Sequence, residues 1–208
     1  MESPRWKLTK SLLTSARMNP MSRTPIRGER VSLHSMSLAD APRDYLWRKD
    51  AELAALNGQH PLKISFIRYL THFESASAGD HPAKEFLSIK TIDEGRHIGN
   101  CAIYNIDWEH AEAHVGIVIG DRRYWGKGYG SDAFRALMDY AFNHLGMQRL
   151  HLKTLECNER ARKCFSRCGF QPCGSLLENG DAYILMQLSV EDYAKTGLSP
   201  QIIAERTP

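Results

Sequence analysis

Residues 115 to 145 constrain the fold of this chain more than any other stretch. Val115-Gly-Ile-Val-Ile119 is rich in β-branched residues and reads as a buried strand. A glycine-rich run follows, Arg123-Tyr-Trp-Gly-Lys-Gly-Tyr-Gly-Ser131. Between Asp132 and Leu145, the residues Ala133, Phe134, Leu137, Met138, Ala141 and Phe142 recur at helical spacing and predict one apolar helix face. Strand, glycine turn and helix in that order aim several backbone N–H groups and the positive end of a helix at one place, which suits a phosphate. Glycine is needed there because a Cβ would block positive φ angles and the close approach of a ligand.

Two common phosphate loops do not fit. A Walker loop has four residues between its first glycine and the Gly-Lys pair. Here five separate Gly120 from Gly126, and Gly128 stands after Lys127 where a magnesium-binding hydroxyl is required. A Rossmann fingerprint needs G-x-G-x-x-G early in a βαβ unit, whereas Gly126, Gly128 and Gly130 have the wrong third spacing and lie past the middle of the chain. The pattern Arg/Gln-x-x-Gly-x-Gly/Ala is met by Arg123, Gly126 and Gly128. Further on, Leu150-His-Leu-Lys-Thr-Leu155 alternates as a strand does, and Asn158, Ala161, Phe165, Gly169 and Phe170 follow in a fixed series. Asn158 can cap a helix there, and Gly169 can end it in a left-handed conformation.

Together these two motifs resemble the GNAT superfamily of N-acetyltransferases, most closely the branch that acetylates ribosomal-protein N-termini, polyamines or amino-sugars. The resemblance covers roughly residues 26 to 190, with its motifs between 114 and 170. It implies an α/β (α+β) fold: a mixed, mostly antiparallel sheet splayed at the acetyl-CoA site, with helices on both faces. It also implies acetyl-CoA as co-substrate and no metal. Ile117, Val118 and Ile119 would hold the pantetheine arm along a free strand edge. Arg123, Gly126, Lys127, Gly128, Tyr129, Gly130 and Ser131 would take the pyrophosphate, and Asn158, Ala161 and Phe165 would complete the cofactor site. Lys127 reads equally well as a solvated side chain. Many relatives carry a general-base Glu two residues before the glycine matching Gly116; here that residue is His114, with Glu112 two further back on the same strand face. A near-neutral imidazole suits proton removal from an ammonium. Asp107 and Glu52 are further candidates. The usual general acid is a Tyr at the place of Phe165, so a donor such as Tyr129, Tyr183 or water is needed, or the chain is a non-catalytic acyl-CoA sensor.

The acceptor implied is a peptide N-terminus or a small-molecule amine. Asp50, Glu52, Asp107, Glu109 and Glu112 offer a loose cluster of carboxylates for a polyamine, and Trp47, His60, His72, Tyr104, Trp108 and His110 are candidate wall residues. The chain has 208 residues, 42% hydrophobic and 25% charged, which suits one domain with one core. We divide it into a basic N-terminal extension (1–24), a single acetyltransferase domain (25–193) and a C-terminal tail (194–208). Net charge is only +3 and no basic stripe crosses the body, so a nucleic-acid-binding role has only the N-terminal arm to support it. No apolar run nears the ~20 residues of a membrane span. Five cysteines without a C-x-x-C pair fit a reducing, cytoplasmic compartment. A homodimer is left open.

Overall fold

The computed structural model describes residues 24–77 and 83–197. Nearly all of the expected N-terminal extension, residues 79–82 (Gly-Asp-His-Pro, which read as a loop) and most of the C-terminal tail lie outside them. The elements are β1 (Ile26–Arg27), β2 (Val31–Ser35), α1 (Ala41–Lys49), α2 (Ala51–Leu56), α3 (Phe66–Ser77), β3 (Lys84–Thr91), β4 (His97–Asp107), β5 (Glu112–Ile119), α4 (Tyr129–Asp139), β6 (Arg149–Leu155), α5 (Glu159–Arg167), β7 (Gln171–Glu178), β8 (Asp181–Ser189) and α6 (Val190–Lys195). The strands form a single sheet in the order β1-β2-β3-β4-β5-β6-β8-β7. All neighbours are antiparallel except β5 and β6.

That parallel pair is short. Glu112, Ala113 and His114 pair with Arg149, Leu150 and His151, and the ladder then stops although both strands continue. Val115 to Ile119 remain paired to β4 on their outer side, and Leu152 to Leu155 to β8. The inner edges of both strands therefore diverge with backbone groups turned toward a gap, as the resemblance implies.

The apolar face expected for 132–145 is present: Ala133, Phe134, Leu137, Met138, Ala141 and Phe142 are all buried. They pack on a sheet face made by Leu33, Ile89, Ile103, Val115, Leu150, Met186 and Leu188. The helix is not uniform to its end, because α4 gives way to one π-helical turn over Tyr140–His144. Phe134 meets Phe165 and Phe170 at centroid distances of 4.9 and 5.5 Å, joining α4 to α5 and the start of β7. On the other sheet face α1 is fastened to β4: buried Asp44 accepts from Asn100 Nδ2, and Trp47 packs edge-on to His97 at 4.8 Å.

The sequence reads Arg30–His34 as a first strand entered by a Gly28-Glu29 turn, Asp40 as the N-cap of a helix through Trp47, and residues 65–75 as a second helix, and each of these needs correction. The first strand is preceded by a two-residue strand, and Gly28–Arg30 turn between them. Asp40 stands at the N-cap position of α1, yet its carboxylate bonds Ser37 N and Oγ and faces Lys90 and His97 instead of capping α1. The helix read as 65–75 runs from Phe66 to Ser77. The α2 helix, the hairpin partner β7 and α6 were not foreseen.

Candidate active site

The run from Asp121 to Ser131 is shaped by its own side chains. Asp121 Oδ1 accepts from Arg123 N at 3.2 Å and caps a short 3₁₀ turn over Arg122–Tyr124. Trp125 Nε1 donates to Ile119 O at 2.6 Å and folds the loop back on the strand end. Gly126 and Gly128 then take φ of +70° and +89°, angles that residues with a Cβ rarely adopt, and Gly128 stands at the N-cap of α4. Backbone N–H groups of Tyr124, Trp125 and Asp132 have backbone acceptors. Among the described residues none is formed by the six from Gly126 to Ser131. Six unclaimed donors at a helix N-terminus form a cradle for an anion.

Four of these six residues, Gly126, Gly128, Gly130 and Ser131, line a cavity of about 550 Å³. Of the residues expected to hold the cofactor, Ile117, Val118, Ile119, Gly126, Gly128, Gly130, Ser131, Asn158, Ala161 and Phe165 line it. Arg123, Lys127 and Tyr129 do not. The Arg123 guanidinium is held by both Asp121 oxygens, at 2.9 and 2.6 Å. Lys127 is exposed and contributes its carbonyl, which accepts from Arg30 Nη1 at 2.8 Å. Tyr129 packs edge-to-face on Tyr124 at 4.8 Å.

Sequence reasoning missed a set of cationic wall residues. Arg160, Lys163 and Arg167 project from α5 into the same lining, and their i, i+3, i+7 spacing was a readable sign of a shared face. Arg160 lies 3.4 Å above the Trp125 ring. Leu53 and Leu56 of α2, with Asn57 just after it, also line this cavity. Asn158, itself buried, ties the walls together: Oδ1 accepts from Ala161 N and Nδ2 donates to Leu56 O, each at 3.1 Å. Gly169 ends α5 at φ +96°, in the expected left-handed cap.

A second cavity, of about 510 Å³, opens on the other side of the gap. The two share Leu53, Leu56, Asn57, Ile117, Val118, Asn158, Ala161 and Phe165, so they meet where β5 and β6 part. Trp47, Phe86, Tyr104 and Tyr183 line the second cavity. Of the expected wall residues only Trp47 and Tyr104 do so; His60, His72, Trp108 and His110 lie outside both linings.

His114 borders this cavity without lining it. It shares a strand face with Gly116, which lines the cavity, and its ring lies between Tyr104 at 5.6 Å and His151 at 5.5 Å. Its Nδ1 is buried and has no hydrogen-bond partner. Burial and the neighbouring His151 hold its pKa below the ordinary 6.5. Glu112 is engaged elsewhere, 3.1 Å from His151 Nε2 and 3.3 Å from Arg149 Nε. The other proposed carboxylates are also committed. Asp50 and Glu52 both bind Arg122, which with a backbone N–H from Leu53 pulls the Asp50 pKa down to about 2. Asp107 binds His110 and caps its own turn.

Among the described residues no group of three His, Cys, Asp or Glu side chains gathers as a metal site, and no helix is long and apolar enough to cross a membrane. A glycine cradle with six unclaimed donors, a cationic wall and a split sheet define a protein that binds an extended, phosphate-bearing acyl carrier. Residues 30–171 match the family model of the acetyltransferase (GNAT) domain. An uncharacterized N-acetyltransferase p20 of Bacillus licheniformis is 31% identical over 150 residues, covering 71% of this chain and 83% of that protein. Among solved structures, a spermidine N-acetyltransferase from Vibrio cholerae in complex with CoA and spermine superposes with a TM-score of 0.72 at 19% identity, over 79% of this chain and 98% of that one. A GNAT-family acetyltransferase from Bacillus anthracis gives 0.69 at 15% identity, over 81% and 99%. The chain belongs to the GNAT acetyltransferase family. It is an acyltransferase that uses acetyl-CoA as co-substrate.

Proposed function

We propose that the chain moves the acetyl group of acetyl-CoA directly to a primary amine, with donor and acceptor bound together. The observation that carries this reading is the meeting of two cavities at the split between β5 and β6. The cradle cavity takes the pyrophosphate on the N–H groups of Gly126, Gly128, Gly130 and Ser131, with Arg160 and Arg167 supplying positive charge, while Lys163 is paired with Glu159 of the same lining. The pantetheine arm lies along the free edge of Val115–Ile119 and delivers the thioester to the junction. The amine arrives through the second cavity, and proximity supplies much of the rate.

The arriving ammonium first loses a proton. His114 serves as the base through a water, since it sits one step along the strand face from the cavity wall and is neutral at pH 7. The amine nitrogen then attacks the thioester carbonyl carbon; the C–N bond forms, the C–S bond breaks, and the CoA thiolate leaves. Phe165 is buried between Phe134 and Phe170 and has no proton to give. Tyr129 lies outside both cavities, so the proton for the thiolate comes from water or from Tyr183, which lines the acceptor side.

The test is initial-rate kinetics of free CoA release, followed by chromatography while both substrates vary. Direct transfer gives intersecting reciprocal plots, whereas parallel lines mark a covalent acetyl-enzyme and overturn the proposal. Gly128→Glu places a carboxylate in the cradle and should abolish acetyl-CoA binding; undiminished affinity removes the phosphate-loop assignment. Acetyl-CoA bound tightly yet never consumed with any amine leaves the sensor reading, which the loss of a hydroxyl at Phe165 favours.

A further inference from the structure

We infer that the acceptor is a primary amine that also carries an anionic group, and that Lys153 is the residue that selects it. This rests on the acceptor cavity of the function proposed above and deepens it. The charged side chains of that cavity are Asp44, Arg48, Lys84 and Lys153. Asp44 is the one carboxylate among them, and it is spent: buried, it accepts from Arg48 Nε at 2.7 Å, from Asn100 Nδ2 and from the Tyr69 hydroxyl. Arg48 offsets its charge, which leaves two lysines in the lining: Lys84, and Lys153, whose partner Glu178 stands outside it.

Lys153 is the lysine of this lining nearest the open ladder. It lies on β6 two residues beyond His151, the partner of His114, on the same strand face and just past the point where the ladder opens. Its Nζ stands 4.8 Å above the Tyr183 ring and is bonded to Glu178 at the end of β7. Both members of that pair are about two-fifths exposed, 41% and 43%. Exposed pairs are weak and exchange partners readily, so an incoming anion can take the place of Glu178. Lys84, paired in register with Tyr104, has no acidic partner among the described residues. Trp47, Phe86 and Tyr104 give the same cavity apolar walls.

A polyamine meets the wrong sign here. The five carboxylates that favoured it in the sequence (Asp50, Glu52, Asp107, Glu109 and Glu112) line neither cavity. The chemistry that fits is an amine beside a carboxylate or phosphate on an apolar body.

The test compares phenylalanine with phenylethylamine, which differ only in the carboxylate, alongside glucosamine 6-phosphate and spermidine. Two readouts are taken: CoA release, and binding to the CoA-loaded protein by calorimetry. We expect phenylalanine or glucosamine 6-phosphate to exceed both phenylethylamine and spermidine by about tenfold or more, the worth of one charged contact; whichever of the two wins identifies carboxylate or phosphate. Lys153→Met should bring that ratio close to one, and Glu178→Gln should raise it severalfold. Retained acetyl-CoA affinity certifies that each variant folds. Spermidine or phenylethylamine binding as well as the anionic amines overturns the inference, as does an anion preference untouched in Lys153→Met. If no amine releases CoA but calorimetry shows the preference and its loss, the catalytic reading fails while this one stands.

Discussion

Removing the side chain of Asn158 tests the junction most directly. Its two bonds, to Ala161 N and to Leu56 O, connect the N-terminus of α5 to the end of α2. Losing an N-cap costs about 1 kcal/mol, and leaving the part-buried Leu56 carbonyl without its partner costs about 1 kcal/mol more. Asn158→Ala should therefore lose about 2 kcal/mol, which for a chain of this size lowers Tm by about 4–8 °C. Asn158→Ser separates the two contributions: serine restores the cap but is too short to reach Leu56, so about half the loss should return. Because Asn158 lines both cavities, each variant should also weaken acetyl-CoA binding severalfold, whereas serine rescues stability more than affinity. Thermal denaturation with and without acetyl-CoA, together with calorimetric affinities, reads both effects. An alanine variant with unchanged Tm, or serine no better than alanine, refutes the assignment of the two bonds.

The pH dependence of the reaction should identify its base. Because the folded pKa of His114 lies below 6.5, His114 is already neutral at pH 7, and kcat/KM should fall only when the pH drops below about 6.5. His114→Ala should lower turnover and erase that acidic limb; a profile that keeps its limb assigns the base elsewhere. The buried Glu85 makes a separate prediction about stability. Burial raises its pKa to about 7 and outweighs the 3.3 Å bond it accepts from the Tyr140 hydroxyl, while its other oxygen has no partner. The folded protein thus holds a proton that the unfolded chain gives up near 4.5, so stability is full below pH 4.5 on this account and declines by about 3 kcal/mol as pH rises to 7 and beyond. Glu85→Gln should remove most of this slope and raise Tm at pH 8 more than at pH 5, as urea or thermal unfolding at the two pH values would show. Equal effects at both would contradict it.

The parts of the fold legible in the sequence are those whose local pattern and tertiary fate agree. The apolar face of α4 was readable because burial follows its 3.6-residue period, and the cradle because glycine is what positive φ demands at Gly126 and Gly128. Strand β7 failed for the opposite reason. It is an edge strand with almost every residue exposed, so no alternation marks it, and Leu176 and Leu177 stand side by side. Its one local signal, Asn179-Gly180 with φ of +53° and +89°, is a two-residue hairpin turn that could have been read. The six-residue α2 is too short to show a period, although Asp50 caps it by accepting from Leu53 N. The fate of the acidic residues was hidden altogether. Asp50 and Glu52 meet Arg122 across 72 and 70 positions of sequence, and only the assembled sheet reveals that they are occupied.

The cradle itself depends on a segment that the sequence offered merely as an entry turn. An anion site at the head of α4 is ill served by an acidic residue in that helix's first turn, yet Asp132 stands there. The structure resolves the conflict by saturating the carboxylate from the far side: Asp132 accepts from Glu29, Arg30 and Val31 N–H groups at 3.0, 2.8 and 3.1 Å. Gly28 permits this approach, since a Cβ there would lie 2.6 Å from Asp132 Oδ2. The same turn sends Arg30 to the Lys127 carbonyl. That bond occupies the oxygen of the peptide unit whose partner N–H belongs to Gly128, one of the six unclaimed donors of the loop. The β1–β2 turn thus saturates the carboxylate in the first turn of α4 and steadies the loop's backbone. Motif spacing can announce a phosphate loop, but whether its donors stand free is decided by contacts about a hundred residues away, where Asp132 and Arg30 meet their partners.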